Sequence, residues 1–383
     1  MLGPGLGGRI DGIDLLRGLA ILFVLMNHVN MQLRSADVPY TAGLPAQMVS
    51  SLVWNGQYGV QIFFAISGFL ITATTLRRWG TLGQVRPGTF YLLRFARIAP
   101  LFLLLLAVLS VLHLAGIRHF VISSQTGGLR AALVAALTFR INVLEATRGY
   151  LPASWDILWS LSVEELFYLL FPLACRALGR FLPAVLVLFV LLGPFARTLL
   201  THANPVWREY SYLGAVDAIA LGCLTALPAD RLRLSRTTLR LAAGGGAALL
   251  VFVLAASRTV PARLLAHSGL DMSLLALGTC LLITVAAQTR WTTPRLLAPL
   301  CWLGQRSYEV YLTHMFVVLA LFSLYLRVGQ PPAAALFAAV LLAAGVLGAA
   351  VARLYSDPIN RLLRTRFRSA TAPPKAGSSR QPA

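Results

Sequence analysis

The chain has 383 residues, 57% of them hydrophobic and only 12% charged, with a formal net charge of +20 and four cysteines. The charged share is about half that of a soluble domain, and the apolar residues fall in blocks long enough to cross a bilayer. That excludes an ordinary cytosolic globular enzyme and a disulfide scaffold. The excess of cations leaves nucleic acid open until their positions are known. Lys375 is the only lysine among 33 basic residues, which fits the codon bias of a GC-rich bacterial genome.

Ten apolar blocks are predicted to span the membrane, giving an all-α polytopic bundle: 13–33, 58–76, 98–115, 157–175, 181–201, 211–228, 241–257, 270–288, 307–326 and 333–354. Each is close to the ~20 residues that a hydrocarbon core requires of a helix. The first block carries Arg17 and His28 and outruns a signal-peptide core, so it is expected to remain as a span. In the second, Ser67 and Gly68 of FFAISGFLI are small residues that permit close helix approach. Arg94 and Arg97 precede the third and, spaced by three, share a helix face. Such a pair suits bidentate phosphate contact, although, taken alone, a positive-inside signal is the better account of it.

The stretch 116–156 is the longest outside the spans and is expected on the outer side as a lid or part of an acceptor site. Within it, 129–144 is short, carries Arg140 and Asn142, and is expected to be half-inserted. Trp155, Trp159 and Tyr168 read as belt aromatics. Asp14, Asp156 and Asp357 read as interfacial capping or pairing groups, and Asp217 as a deeper polar contact. Cys175, Cys223, Cys280 and Cys301 show neither disulfide nor metal spacing and read as packing residues. Residues 1–367 are expected to form one membrane domain and 368–383 a disordered cytoplasmic tail.

Charge placement tests this topology. With a cytoplasmic N-terminus and ten spans, 23 of the 33 basic residues fall on the cytoplasmic side and ten on the outer side. The positive-inside rule therefore favours ten spans with both termini cytoplasmic in the plasma membrane. A spanning 129–144 would place the basic 231–240 loop outside, against the same rule. The charge is then topology and contact with membrane lipids, not a nucleic-acid surface.

Ionisable groups inside spans are costly and mark candidate functional sites. His28 lies eleven residues beyond Arg17, about 16 Å along its helix. Glu164 lies about 10 Å down a helix that enters from the other side, which puts it at a similar depth. His314 is expected near the midplane. Two histidines and a carboxylate in one layer suit proton transfer, while an interhelical hydrogen bond accounts for His314 equally well. Glu165 points about 100° away from Glu164 around the helix and is expected only to cap the bundle.

Six segments together resemble the acyltransferase-3 family of integral membrane O-acyltransferases: IDGIDLLRGLAILFVLMNH with Arg17 and His28, YGVQIFFAISGFLI, FYLLRFARIAP with Arg94 and Arg97, SWDILWSLSVEELFYLLFP with Glu164, SYEVYLTHMF with His314, and SDPINRLLR. They occur in the family's order across nearly the whole chain. Leu93, Glu309 and Phe316 depart from the usual pattern. The resemblance implies transfer of an acyl group, commonly acetyl from acetyl-CoA, to a hydroxyl of a carbohydrate or glycosylated acceptor, such as an envelope glycan or a secreted macrolide. It implies His28 as general base with Glu164 holding its tautomer, or an acyl-His28 intermediate. It further implies Arg17, Arg94 and Arg97 on the donor phosphates, and His314, Tyr311, Ser67 and Trp155 toward the substrate. No bound cofactor or metal is implied. The competing reading is a secondary transporter with a midplane His/Glu site, against which stands the lack of an internal repeat.

Overall fold

The computed structural model describes residues 9–229, 232–255, 265–289 and 291–371. The described residues contain helices and no strand. In chain order the helices are α1 (Asp11–Ser35), α2 (Ala46–Val53), α3 (Gly56–Trp79), α4 (Pro87–Leu114), α5 (Gly128–Leu137), α6 (Ile141–Arg148), α7 (Ala153–Asp156), α8 (Leu158–Leu178), α9 (Leu182–Ala203), α10 (Pro205–Tyr210), α11 (Tyr212–Ala226), α12 (Arg236–Ala255), α13 (Leu270–Gln288), α14 (Ala298–Gln305), α15 (Ser307–Arg327), α16 (Ala333–Val351) and α17 (Asp357–Thr371).

Among the described residues, eight continuous helical runs are long and apolar enough to cross a membrane, which makes this a multi-pass membrane protein. One run, Ala153–Leu200, holds two of the expected spans, α8 and α9, joined through a single 3-10 turn at Gly179–Phe181. The expected 211–228 span is α11, whose 15 residues reach about 22 Å. Its shortness is tolerated because it is an inner helix packed against α3 and α9. The 129–144 block breaks at Thr138–Arg140 into α5 and α6, neither long enough to span. Helix α17 extends to Thr371, past the expected domain boundary at 367, and 372–383 lie outside the described residues.

Helix α1 is enclosed by α3, α14 and α15, and α3 by α1, α11 and α13. An apolar 18-residue window of the Ala46–Trp79 run is 72% buried, against 22% for that of Arg236–Ala255, so α3 is central and α12 peripheral. Helix α3 crosses α11 closely. A methyl group on Gly68 would strike the Ile219 carbonyl, and one on Gly222 the Ala65 carbonyl. The small-residue reading of Gly68 thus has its cause in backbone contact with α11.

Arg197, read as an outer-side charge, is buried inside the bundle. It is 3% exposed and bonds Asp217 through both guanidinium arms, Nη1 to Oδ1 at 3.0 Å and Nη2 to Oδ2 at 2.8 Å. Its Nε donates to the Gly269 carbonyl at 2.9 Å. A buried carboxylate must be paired to be tolerated, and this pair ties α9, α11 and the N-terminal end of α13 together. All four cysteines are free and buried, as expected of packing residues.

Candidate active site

Two chambers lie along α1 and meet at Tyr311. The first, about 160 Å³, is the arginine chamber, where Arg17, Arg94, Arg97, Ser67, Glu164 and Glu165 converge. Local sequence places each of them. Arg17 sits early in α1, and Arg94 and Arg97 share one face of α4. Glu164 is on α8, and Ser67 on α3 beside the close α3–α11 crossing. Arg17 Nε donates to Ser307 Oγ at 3.0 Å. The Arg94 guanidinium stacks 4.1 Å from the Tyr168 ring centroid, a favourable placement of a cation over a π face. Arg97 Nη1 meets Glu309 Oε1 at 3.1 Å and stacks over Tyr308. Glu164 Oε1 accepts from both Ser67 Oγ and Tyr168 Oη.

The second, about 390 Å³, is the histidine chamber. His28, Asn27, Trp54, Gln57, Asp156 and Glu209 line it, with Trp159 and Tyr210. The His28 ring centroid stands 4.9 Å from that of His314. His314 is fully buried, and its Nδ1 lies 2.6 Å from the Tyr311 carbonyl. A carbonyl only accepts, so this contact assigns the proton to Nδ1 and leaves the Nε2 lone pair open. Neither His314 Nε2 nor His28 Nδ1 has a hydrogen-bond partner. Tyr311 lines both chambers, with its hydroxyl 2.6 Å from Ser160 Oγ and 2.9 Å from the Ile157 carbonyl.

The expected layer of two histidines and a carboxylate is therefore divided. His28 and His314 come together, but Glu164 lies in the arginine chamber on Ser67 and Tyr168 and makes no hydrogen bond to His28 Nδ1. The tautomer-holding role expected of Glu164 is corrected accordingly. Depth along two helices does not fix direction around them, and α8 turns Glu164 toward the cations. The belt reading is corrected too. Trp155 is fully buried in the core and lines neither chamber, Trp159 stacks on Tyr210 at 4.2 Å, and Tyr168 is buried on Glu164. Trp155 is thus a packing residue and not a substrate contact.

Sequence reasoning missed Glu165 in the first chamber, Glu309 paired with its Arg97, and Asp156 and Glu209 in the second. Glu309 had a usable signal, a carboxylate in the first turn of a span. Asp156 and Glu209 had none, because each stands in a short connecting helix whose direction is set only by packing. Glu145 lies behind Asp156. Burial first, and the Asp156 carboxylate second, push its carboxyl well above the ordinary carboxylate range.

The family model described as an acyltransferase domain matches residues 10–354. The chain is 25% identical over 347 residues to "Peptidoglycan O-acetyltransferase OatA" of Listeria monocytogenes, covering 84% of this chain and 51% of that protein. It is 25% identical over 342 residues to "O-acetyltransferase OatA" of Staphylococcus aureus, covering 84% and 53%. The chain thus spans about half the length of the curated relatives it matches. No solved structure matches it.

Proposed function

The chain belongs to the acyltransferase-3 family of integral membrane O-acyltransferases, and from that premise we propose that it moves an acyl group, commonly acetyl, from acyl-CoA to a hydroxyl of a glycan or glycosylated acceptor. The observation that carries the reading is the pairing of a chamber holding three arginines with a chamber holding His28, joined at Tyr311. The names of the relatives support a glycan acceptor.

CoA is polyanionic, so its phosphates require cations at the membrane surface. Arg17, Arg94 and Arg97 present them, on the side that the charge distribution assigns to the cytoplasm of a plasma-membrane protein. The arginine chamber is narrow, which suits the extended pantetheine arm with its thioester toward Tyr311. The acceptor enters the histidine chamber from the opposite side. His28 removes the hydroxyl proton as the acceptor oxygen attacks the thioester carbonyl. The C–O bond forms, the C–S bond breaks, and the imidazolium returns the proton to the departing thiolate. The His314 Nε2 lone pair beside His28 stabilises the imidazolium, the task first assigned to Glu164. Glu164 instead balances the arginine charge and orders Ser67 and Tyr168.

The test is CoA release and acceptor acylation by purified protein in lipid nanodiscs. His28→Ala is expected to lower turnover by at least about 100-fold with the donor KM little changed. Arg94→Ala with Arg97→Ala is expected to raise the donor KM. A folded His28→Ala protein with full turnover would sink the reading.

A further inference from the structure

The histidine chamber carries charge opposite to that of the chain. On a molecule with a net charge of +20, the described residues lining this cavity include Asp156 and Glu209 and no lysine or arginine. Asp156 is 8% exposed, and its Oδ1 accepts from the Tyr210 hydroxyl at 2.9 Å. Glu209 keeps exposed surface, and its backbone carbonyl accepts from Gln57 Nε2 at 3.0 Å. Two cations stand close by: Arg34 stacks over Trp54 at 5.3 Å, and Arg208, next to Glu209, donates to the Ala266 carbonyl.

The remaining walls are aromatic and amide. Trp54 is 43% and Tyr150 60% exposed, so both offer open ring surface at the chamber. Trp159 and Tyr210 stack within 6° of parallel and form a rigid floor. Asn27 and Gln57 supply side-chain donors and acceptors. The volume of about 390 Å³ lies in the usual range for small-molecule sites. Apolar ring faces beside amides and carboxylates match a pyranose, which has C–H faces and a rim of hydroxyls. His28 lines the chamber and supplies the imidazole toward which a hydroxyl must point.

We propose that this chamber is an acceptor site with a charge filter, in which Glu209 and Asp156 admit neutral or amine-bearing glycosyl groups and reject carboxylated or phosphorylated ones. The inference rests on the acyl-transfer reading for the chamber's role, but the selection itself is a binding property. A like-charged group entering a partly desolvated cleft is disfavoured. An ammonium finds two carboxylates instead, and a neutral ring is accepted on its hydroxyls and C–H faces. Desolvation inside the cleft raises the Glu209 carboxyl from its ordinary value while the Arg208 charge opposes the rise. The filter is therefore read on the alkaline side, at about pH 8.

Binding of methyl β-glucoside, methyl β-glucosaminide and methyl β-glucuronide to the full chain in nanodiscs, followed by saturation-transfer NMR, tests the filter. The glucoside and glucosaminide are expected to bind at least about tenfold more tightly than the glucuronide. Glu209→Gln is expected to narrow that ratio several-fold, and Glu209→Arg to favour the glucuronide. Trp54→Ala is expected to weaken the glucoside, which locates the probe in this chamber. Glucuronide binding as tight as the others, an unchanged ratio in Glu209→Gln, glucoside binding indifferent to Trp54→Ala, or no binding of any probe would each overturn the proposal. Acyl transfer that persists without this selectivity would leave the catalytic reading standing and remove the filter. Selectivity without acyl transfer would do the reverse.

Discussion

At the scale of single residues, Glu309 deserves a measurement of its own because it departs from the family pattern. It is 1% exposed and neutralises Arg97 across 3.1 Å. Bound that way, Arg97 would offer the phosphates of the proposed acyl-CoA donor less charge than its position implies. Glu309→Gln keeps the shape and removes the charge, so the donor KM is expected to fall by about three- to tenfold with turnover little changed. Steady-state kinetics with acetyl-CoA checks this, and an unchanged or raised KM contradicts it. His28 and Glu164 show how far sequence reached at this scale. Each was legible as an ionisable group inside a span, and His314 as a third near the same layer. What sequence left unresolved was direction. Two side chains at one depth on different helices face each other only if both helices are turned that way, and packing sets that rotation. Trp155 makes the same point from the other side, since a tryptophan near a helix start is a membrane-belt residue or a core residue according to what lies against it.

At the scale of helices, two tight constraints are a backbone contact and a buried ion pair. Gly68 and Gly222 let α3 and α11 touch through their backbones, and α3 carries Ser67 into the arginine chamber. Gly68→Ala is expected to destabilise the protein by about 1–3 kcal/mol, since neither backbone carbonyl nor helix axis yields easily. Thermal unfolding in detergent reads the loss, and unchanged stability would show that the crossing is loose. The Arg197–Asp217 pair was only half legible. Asp217 stood out as a polar group deep in a span, whereas Arg197, near the end of its block, read as an outer-side charge. The short α11 draws the two together beneath Gly269. Arg197→Leu strands the Asp217 carboxylate, fully buried, and is expected to cost about 3–5 kcal/mol. Asp217→Leu added to it is expected to recover part of that loss, and a double variant no more stable than Arg197→Leu would argue against stranded charge as the cause.

For the molecule as a whole, sidedness decides what each chamber can receive. Among the described residues the arginine chamber opens near the start of α1 and the histidine chamber near its end, so the two sit at opposite ends of one helix. The basic 231–240 loop and the 116–156 stretch should lie on opposite sides of the membrane. Because all four native cysteines are buried, single added cysteines report cleanly. Ser235→Cys, at an exposed position, is expected to react with an impermeant maleimide only in inside-out vesicles, and Gln125→Cys, also exposed, only from outside intact cells. The reverse pattern would invert the assignment of donor and acceptor to the two chambers.

The sequence by itself determined the helical class, the membrane setting, the family and the identity of the ionisable groups inside the spans. Those features follow from composition, block length and local spacing, which are properties of the chain before it folds. Only the tertiary structure decided that Glu164 joins the arginines, that His314 stands beside His28, and that a carboxylate-bearing aromatic chamber opens at Asp156 and Glu209. Those features depend on the rotation of each helix about its axis and on the course of short connecting helices. Both are set by packing among residues far apart in the chain, and no local pattern records them.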